Sequence, residues 1–302
     1  MNVALIGYGE VGRILAEDLY AAGHAVAAYD VKLGSGAGVP IRGHAVVHGV
    51  TLADSHAAAV RSAALVVSAV TASQTVAAAE ACASALAAGS FFLDLNSASP
   101  GAKIAAAEQV ARGSGRYVEG AVMTSVPPRR IKVPLLLGGP DAAALEPVLN
   151  QLGFAAKVAS VDLGVASATK MCRSVIIKGL EAMVIESFTA ARRYGVEEAV
   201  IASLGETFPG IEWTEQAATF FQRVIAHGRR RAEEMREVAV TMREAGLEPW
   251  SAAATAERQS WMADLADEGL FGKRRHRPSA RSPDWRVEAD RILEHLKTPG
   301  EG

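Results

Sequence analysis

The chain has 302 residues, enough for one large domain or two ordinary ones, and half of them are hydrophobic, which is ample for a buried core. Its formal net charge of -2 gives no reason to expect nucleic acid or an anionic membrane as the main partner. No uninterrupted apolar run reaches the ~18 residues that are needed to span a bilayer.

The two cysteines, Cys82 and Cys172, indicate a reducing compartment rather than a disulfide scaffold. Neither lies in a C-x-x-C pair, and no Cys/His cluster has the spacing of a zinc site, so we expect no metal. The first residues lack a basic leader and a small-residue cleavage site. These features predict a globular cytoplasmic protein.

The first half of the chain alternates between segments typical of strands and segments typical of helices. Short apolar runs predict strands at 2–7, 25–30, 64–70, 90–96, 116–123 and 132–139. Helical patterns lie between several of them, at 10–24, 73–89 and 100–113. Such alternation predicts a parallel sheet with helices on its faces, which is a doubly wound α/β domain.

The junction between the first strand and the first helix carries the sequence GYGEVG. A lone G-x-G-x-x-G is a weak signal, but here it follows a strand and opens a helix, as in dinucleotide-binding Rossmann domains. Gly7 would permit the tight turn, Gly9 the approach of a pyrophosphate, and Gly12 the packing of helix on strand. The helix N-terminus offers N–H groups to the phosphates. The cofactor-binding residues predicted here are Gly7, Tyr8, Gly9, Glu10, Val11 and Gly12.

Asp30 ends the second predicted strand, 18 residues after Gly12. A carboxylate at this position is expected to accept hydrogen bonds from the adenosine ribose diol and to repel a 2'-phosphate. NAD is therefore favoured over NADP, although Lys32 nearby weakens that preference. A Rossmann fold without nucleotide, or a chance glycine turn, is the alternative interpretation.

From about residue 166 onward the patterns are helical. Helices are predicted at 167–194, closed by Gly195, at 212–246 with a possible break at Gly228, and at 250–269. The basic stretch 272–285 fits a solvated linker better than a nucleic-acid site, because no aromatic stacking platform accompanies it. Residues 297–302 should be frayed. We predict a Rossmann domain at 1–163 and, at 164–302, an all-α substrate and dimerisation domain that begins with a long interdomain helix.

The first of these helices carries a polar stripe on an otherwise apolar surface, which predicts a buried helix whose polar groups face a cleft or find partners. At 100° per residue the stripe contains Lys170, Arg173, Ser174, Ile177 and Glu181, with Lys178 toward its edge. Lys170 lies near the helix start, where the two predicted domains meet and small-molecule clefts commonly form. Burial and the helix dipole would lower its pKa and suit it to proton exchange. Pairing with an acidic neighbour, or exposure at the surface, is the alternative.

Four segments occur in the order seen in the β-hydroxyacid dehydrogenases. They are LIGYGEVGRILAEDLYAAGHAVAAYD, LVVSAVTASQTVAAA, DLNSASP and GVASATKMC. Over roughly residues 1–190 the chain resembles this family, which includes 3-hydroxyisobutyrate, tartronate semialdehyde and 6-phosphogluconate dehydrogenases. The remaining helices resemble an all-helical C-terminal domain attached to phosphogluconate-dehydrogenase-like proteins of unassigned substrate.

The resemblance implies that Lys170 is the general acid/base, in a motif that begins at Gly164. Ser174 stands where the family has asparagine, and it could hydrogen-bond a substrate hydroxyl. Arg173 beside it could hold a carboxylate or pair with an acidic side chain. Asn96 would line the cofactor and Ser97 the substrate.

Other positions depart from the family or match it loosely. The serine-glycine-glycine motif that binds substrate in relatives aligns with Met123, Thr124 and Ser125. Thr124 and Ser125 could replace the lost donors, whereas Met123 would line the pocket, and the departure leaves the substrate class open. Val70 and Thr71 are expected beside the cofactor ribose, and His227 falls near a family lysine that contacts cofactor or substrate.

The expected reaction is the reversible NAD(P)-dependent oxidation of the alcohol of a small hydroxy acid, with a carbonyl product. An imine or other C=X reductase, or a decarboxylating dehydrogenase, is the alternative enzyme. A nucleotide-binding sensor without turnover is the alternative of another class. Family analogy and the abundance of apolar helix also imply a homodimer.

Overall fold

A computed structural model describes residues 1–272 and 282–297 of the protein, which forms two compact units, Met1–Cys172 and Arg173–Gly302. Residues 273–281 of the predicted basic linker and 298–302 of the predicted frayed end lie outside the described residues. The end of the predicted linker is described, and there the prediction of a solvated segment is wrong, because Trp285 begins a helix and is completely buried. The domain boundary between residues 163 and 164 stays a prediction.

The first unit is built on an eight-stranded sheet in the order β3-β2-β1-β4-β5-β6-β7-β8. The strands are β1 (Asn2–Ile6), β2 (Ala25–Tyr29), β3 (Thr51–Leu52), β4 (Leu65–Ser68), β5 (Phe91–Asp94), β6 (Arg116–Val122), β7 (Pro134–Gly138) and β8 (Ala155–Ser160). All six predicted strands are present, and the Rossmann-type fold class is confirmed. The sheet also contains β3 and β8, two edge strands that the sequence patterns did not predict. One is two residues long, and the other alternates between buried and exposed residues.

One pair of strands departs from the predicted parallel sheet. β6 and β7 are antiparallel, with Glu119 opposite Gly138, whereas the other neighbouring pairs are parallel. The physical reason is the connection between them. A parallel crossover needs a dozen or more residues and usually an α-helix, and the short segment from 123 to 133 contains no α-helix.

Helices of the first unit cover both faces of this sheet. They are α1 (Glu10–Ala21), α2 (Val39–Val47), α3 (His56–Val60), α4 (Thr75–Ala83), α5 (Pro100–Ala111) and α6 (Ala142–Gln151). Two apolar clusters, one containing Leu5 and Leu15 and the other Ile6 and Cys82, fill the space between sheet and helices. Because β1 and β4 are buried on both faces, their sequences are continuous apolar runs rather than alternating ones.

The regular secondary structure of the second unit, among its described residues, is α-helical, as predicted. The helices are α7 (Val165–Tyr194), which begins in the first unit, α8 (Glu197–Thr207), α9 (Trp213–Glu244), α10 (Trp250–Asp267) and α11 (Trp285–His295). Its core includes Phe188, Phe221 and Trp285, whose rings pack together. α8 and α11 are not among the elements that the sequence predicted.

The prediction of a possible helix break at Gly228 is wrong, because α9 runs through this residue without interruption. A Cβ atom added at Gly228 would lie 2.7 Å from the carbonyl oxygen of Gln259 on α10. The glycine therefore lets two helices approach closely rather than ending one of them. A glycine in a helical pattern has either meaning, and only the neighbouring helix decides between them.

The surface of α7 also differs from the prediction that the helix is buried. Ile176 is 68% exposed and Met183 is 62% exposed, whereas Ile185 and Phe188 lie in the core of the second unit. An apolar stripe of α7 that includes Ile176 and Met183 is therefore exposed in the part of the chain that the structure describes. Stripes of this kind in soluble proteins often mark contacts with another chain.

Part of the polar stripe of α7 forms a buried charge cluster within the second unit. Glu181 is completely buried, accepts a hydrogen bond from Arg223 at 3.0 Å, and also pairs with Arg231. Lys178 is buried as well, and its Nζ lies 2.5 Å from a carboxylate oxygen of Glu234. Burial lowers the pKa of Lys178, and the charge of Glu234 partly opposes this. These groups find partners inside the helical unit.

Changing Glu181 to glutamine is expected to destabilise the protein by about 3 kcal/mol, because it leaves the charge of buried Arg231 without its counter-ion. Chemical denaturation followed by circular dichroism would measure the change. Glu186→Gln is the matched control, because Glu186 lies on the same helix and pairs with Arg258 in an exposed ion pair that should contribute less than about 1 kcal/mol. Equal effects of the two variants would contradict the importance of burial.

Candidate dinucleotide and substrate site

The glycine turn between β1 and α1 has the shape that its sequence predicts. Gly7 has a φ of +92°, and a Cβ atom there would lie 2.5 Å from the carbonyl oxygen of Ala69. A Cβ atom on Gly12 would lie 2.2 Å from the carbonyl oxygen of Gly7. Around Gly9 a Cβ atom would meet nothing within 4 Å. The turn is thus tightly packed against the protein at two glycines and open at the third.

Asp30 and Tyr8 tie this turn to the end of β2. The amide of Tyr8 donates to one carboxylate oxygen of Asp30 at 2.8 Å, and the amide of Lys32 donates to the other at 2.9 Å. Asp30 is only 9% exposed. The Tyr8 ring is fully buried, and burial raises the pKa of Tyr8 to about 12. Asp30 therefore holds the backbone of the glycine turn and of the segment after β2, in addition to the ribose contact predicted for it.

The carboxyl ends of β4 and β5 are joined by the side chain of Asn96, which is 4% exposed. Its Oδ1 accepts a hydrogen bond from the amide of Val70 at 2.7 Å, and its Nδ2 donates to Ser68 Oγ at 3.0 Å. In open α/β sheets ligands bind at this edge, where the strand order reverses. In this sheet the reversal lies between β1 and β4. Asn96 thus fixes the backbone next to the glycine turn, and its cofactor contact stays a prediction.

A buried ion pair supports the segment that follows β5. Lys103 Nζ lies 2.9 Å from Asp94 Oδ1 and donates to the carbonyl oxygen of Asp94 at 2.9 Å. Tyr117 donates to Asp94 Oδ2 at 2.7 Å, and burial, followed by the charge of Asp94, raises the pKa of Tyr117 well above its usual value. The sequence patterns did not indicate Lys103 or Tyr117. The only local signal is a lysine in an alanine-rich helix.

Lys170 lies in the second turn of α7 and reaches the loop after β5. Its Nζ donates a hydrogen bond to Ser97 Oγ at 2.6 Å, and its side chain is half-buried. Both residues belong to the first unit. The structure therefore brings together two residues that the sequence placed 73 positions apart and assigned to the same site.

Glu119 in the middle of β6 anchors the start of this lysine helix. Its carboxylate is completely buried and accepts hydrogen bonds from the Ala166 amide and the Ser167 hydroxyl, both at 2.9 Å. A negative group at a helix N-terminus is favoured by the helix dipole and by the unpaired amides there. Gly138 leaves room for it, because a Cβ atom at that position would lie 2.3 Å from Glu119 Oε1. Sequence reasoning missed Glu119, although a glutamate in an apolar strand was a usable signal.

The remaining predicted site residues lie on the two units as follows. In the first unit Glu10, Thr71, Thr124 and Ser125 are exposed, and Val11 is half-buried. In the second unit Arg173 and His227 are exposed, and Ser174 is buried. The binding roles of all these residues stay predictions.

The residues of the first unit fit a bound dinucleotide. The open space at Gly9 lies at the N-terminus of α1, where backbone N–H groups and the helix dipole favour phosphate. A cleft of about 370 Å³ lies beyond the end of β2, lined by residues that include Val31, Arg42 and Asp54. The turn, the carboxylate after β2 and the sheet order together define a Rossmann-type NAD(P)-binding domain.

Comparison with known proteins gives the family. The NAD binding domain of 6-phosphogluconate dehydrogenase matches residues 2–163, and the chain belongs to this family. Residues 191–262 match a helical domain of unknown function, DUF1932. The resemblance to the β-hydroxyacid dehydrogenases and the attached helical domain is thus confirmed.

Solved structures of similar proteins agree with this assignment. A conserved hypothetical protein from Sinorhizobium meliloti 1021 is 35% identical, with 98% of this chain and 97% of that chain covered and a TM-score of 0.77. The conserved protein MTH1747, described as similar in structure to 3-hydroxyacid dehydrogenases, is 29% identical over 88% of this chain and 99% of its own, with a TM-score of 0.70. Mycobacterium tuberculosis 3-hydroxyisobutyrate dehydrogenase, solved with L-serine, is 17% identical over 98% and 99%, with a TM-score of 0.66, and shows a shared fold.

A curated relative covers less of the chain. An uncharacterized 28.5 kDa protein in the 7S RNA 5' region of Methanothermus fervidus is 26% identical over 147 residues. The match spans 49% of this chain and 56% of the relative, so it extends over about half of each protein. Among the described residues, no helix is both long and apolar enough to cross a membrane.

Proposed function

We propose that the protein is an NAD(P)-dependent oxidoreductase that reversibly oxidises the alcohol of a small hydroxy acid, with Lys170 as general acid/base. The observation that carries the proposal is the hydrogen bond from Lys170 Nζ to Ser97 Oγ at 2.6 Å. Ser97 follows β5, at the carboxyl edge of the sheet that also carries the glycine turn. An amine held at this edge is suitably located for proton transfer to a ligand in the same crevice.

Lys170 would act in both directions of the reaction. As a neutral amine it takes the proton of the substrate hydroxyl, and as an ammonium group it returns a proton to the carbonyl oxygen. The Ser97 hydroxyl can accept from the ammonium or donate to the neutral amine, so the bond between them survives the change of charge. Glu119, by anchoring the start of α7, fixes the position from which the amine works.

The cofactor site would use the turn and the strand ends of the first unit. Gly7, Gly9 and Gly12, with Tyr8, Glu10 and Val11 between them, would surround the pyrophosphate, and Val70, Thr71 and Asn96 would border the rest of the dinucleotide. NAD(P), when bound, would supply the hydride acceptor for oxidation of the substrate's carbinol carbon. The residues of this chain would hold the substrate and the cofactor in place, and Lys170 would take up or return the proton.

NAD is the proposed cofactor, because a carboxylate after β2 favours a free ribose diol over a 2'-phosphate. Asp30 occupies this position. Two features support the opposite preference. Lys32 follows closely, and Arg42 lines the adjacent cleft with its guanidinium bonded to the Leu33 carbonyl at 2.8 Å. Both cofactors therefore belong in any assay.

Substrate recognition is proposed for a set of polar side chains. The hydroxyls of Ser97, Thr124 and Ser125 are proposed to bind substrate. By family resemblance, substrate binding is also proposed for the Arg173 guanidinium and the Ser174 hydroxyl, and a cofactor contact for His227. A guanidinium suits a carboxylate, which supports a hydroxy acid as substrate. The exposed apolar stripe with Ile176 and Met183 supports a homodimer, and a cytoplasmic location belongs to the same proposal.

Small 3-hydroxy acids and sugar acids, supplied with NAD and NADP in parallel, are expected to produce reduced cofactor that absorbance detects. NAD should give the higher kcat/KM. A second set of assays, with carbonyl compounds and amines and with reduced cofactor, tests for an imine reductase, and release of CO₂ tests for a decarboxylating dehydrogenase. Cofactor binding without turnover of any of these compounds would contradict the dehydrogenase and favour a nucleotide sensor.

A further inference from the structure

Three side chains that commonly bind metals lie together in the first unit, and the proposed reaction uses none of them. Glu17 is on α1, His44 is on α2, and His48 directly follows α2. One ligand atom of each lies within 4.8 Å of those of the other two. The two histidines are four positions apart, a spacing that places side chains on the same face of a helix, and their ring centroids are 4.3 Å apart.

His44 is oriented by a partner on each side. Its Nε2 lies 2.9 Å from Glu17 Oε1, and its Nδ1 lies 3.0 Å from the hydroxyl of Tyr8. Metal-binding histidines usually have such an arrangement, in which one ring nitrogen faces the ion and the other bonds to a protein group. Because a hydroxyl both donates and accepts, Tyr8 can hold Nδ1 in either tautomer.

The guanidinium of Arg130 holds one carboxylate oxygen of Glu17, and the other oxygen faces His44. Arg130 Nη2 lies 2.7 Å from Glu17 Oε2 and 2.8 Å from Asp18 Oδ1. The backbone of Arg130 has a φ of +54°, an uncommon value for a residue other than glycine. Asp18 balances the charge of the guanidinium, so Arg130 orients Glu17 without making the cluster as a whole positive.

We propose that Glu17, His44 and His48 bind a divalent first-row transition-metal ion such as Zn²⁺. Two imidazoles and a carboxylate are a ligand set that suits zinc and its neighbours, and water would complete the coordination. Bonds of about 2.0 to 2.1 Å in tetrahedral geometry place ligand atoms about 3.3 Å apart. The contact between His44 and Glu17 would open slightly, and His48 would close in by side-chain rotation.

A metal ion at this position would stabilise the part of the first unit that lies beside the glycine turn. Tyr8 belongs to the glycine turn, and its amide bonds to Asp30. A metal ion would join α1 to α2 and fix the ring on which the Tyr8 hydroxyl rests. The sequence predicted no metal, because Glu17 lies 27 positions from His44 and falls outside the short spacings that identify metal sites.

The experiment titrates the untagged, chelator-treated full chain with Zn²⁺ in a calorimeter and with Co²⁺ in a spectrophotometer. We expect one ion per chain and the visible absorption of Co²⁺ bound by nitrogen and oxygen ligands. His44→Gln and His48→Gln should each lower the affinity at least tenfold, and Tyr8→Phe, which removes the group that orients His44, about tenfold.

Two control variants should leave the affinity unchanged. His295→Gln removes a histidine of the second unit, and Cys172→Ser removes an exposed thiol that could bind Zn²⁺ by itself. Circular dichroism shows whether each variant is folded. The proposal is overturned if the unaltered protein binds neither ion at micromolar concentration, a result that needs no variant. It is also overturned if binding survives both histidine changes or disappears with Cys172. Neither result bears on the dehydrogenase, because the titration contains no substrate or cofactor.

Discussion

Replacing Lys170 with alanine is expected to lower kcat for the preferred hydroxy acid of the proposed reaction about 10³-fold, within the usual range for loss of a general acid/base. The affinity for the dinucleotide should change little, because the glycine turn and Asp30, to which cofactor binding is assigned in the proposal, are not altered. Steady-state assays measure the first effect, and nicotinamide fluorescence on binding measures the second. The effect is large because the amine is the proton carrier of the proposed reaction.

Small amines added to the Lys170→Ala protein should restore part of the activity and change its pH profile, which a purely structural role would not produce. Lys157→Ala is the matched control, because this lysine is exposed on edge strand β8. Its loss should leave kcat unchanged. Turnover of the Lys170→Ala protein at the normal rate would show that the proposed mechanism is wrong.

Gly9→Ala and Gly12→Ala, two changes of one methyl group in the same turn, are expected to have different effects. At Gly12 the new Cβ atom would lie 2.2 Å from the carbonyl oxygen of Gly7, so the backbone must move. This variant should lose about 3 kcal/mol of folding free energy together with dinucleotide binding. Thermal unfolding and cofactor titration measure the two quantities.

At Gly9 the Cβ atom meets no protein atom within 4 Å, and φ of -78° with ψ of -153° is available to alanine. Stability should therefore stay within about 0.5 kcal/mol of the unaltered protein. The methyl group instead occupies the space proposed for the pyrophosphate, so the affinity for NAD(P) should fall at least about tenfold, or about 1.4 kcal/mol. Normal cofactor affinity in the Gly9→Ala protein would place the dinucleotide elsewhere.

The sequence by itself determined the features that depend on residues close together along the chain. Apolar runs predicted six of the strands, and the glycine spacing predicted the turn after β1. A strand buried on both faces must be apolar throughout, and a tight turn against a strand end must lack side chains, so both leave a local signal. Helical periodicity likewise predicted α7, α9 and α10.

Only the tertiary structure decided how distant residues combine. The Lys103–Asp94 pair, Glu119 beneath the lysine helix, and the cluster of Glu17 with two histidines each join groups on separate elements. The uninterrupted helix at Gly228 likewise depends on packing between separate elements, because α10 lies against this glycine. A local pattern shows which residues are buried and where the chain turns. The partner of a charged side chain depends instead on packing between elements that are far apart in the chain.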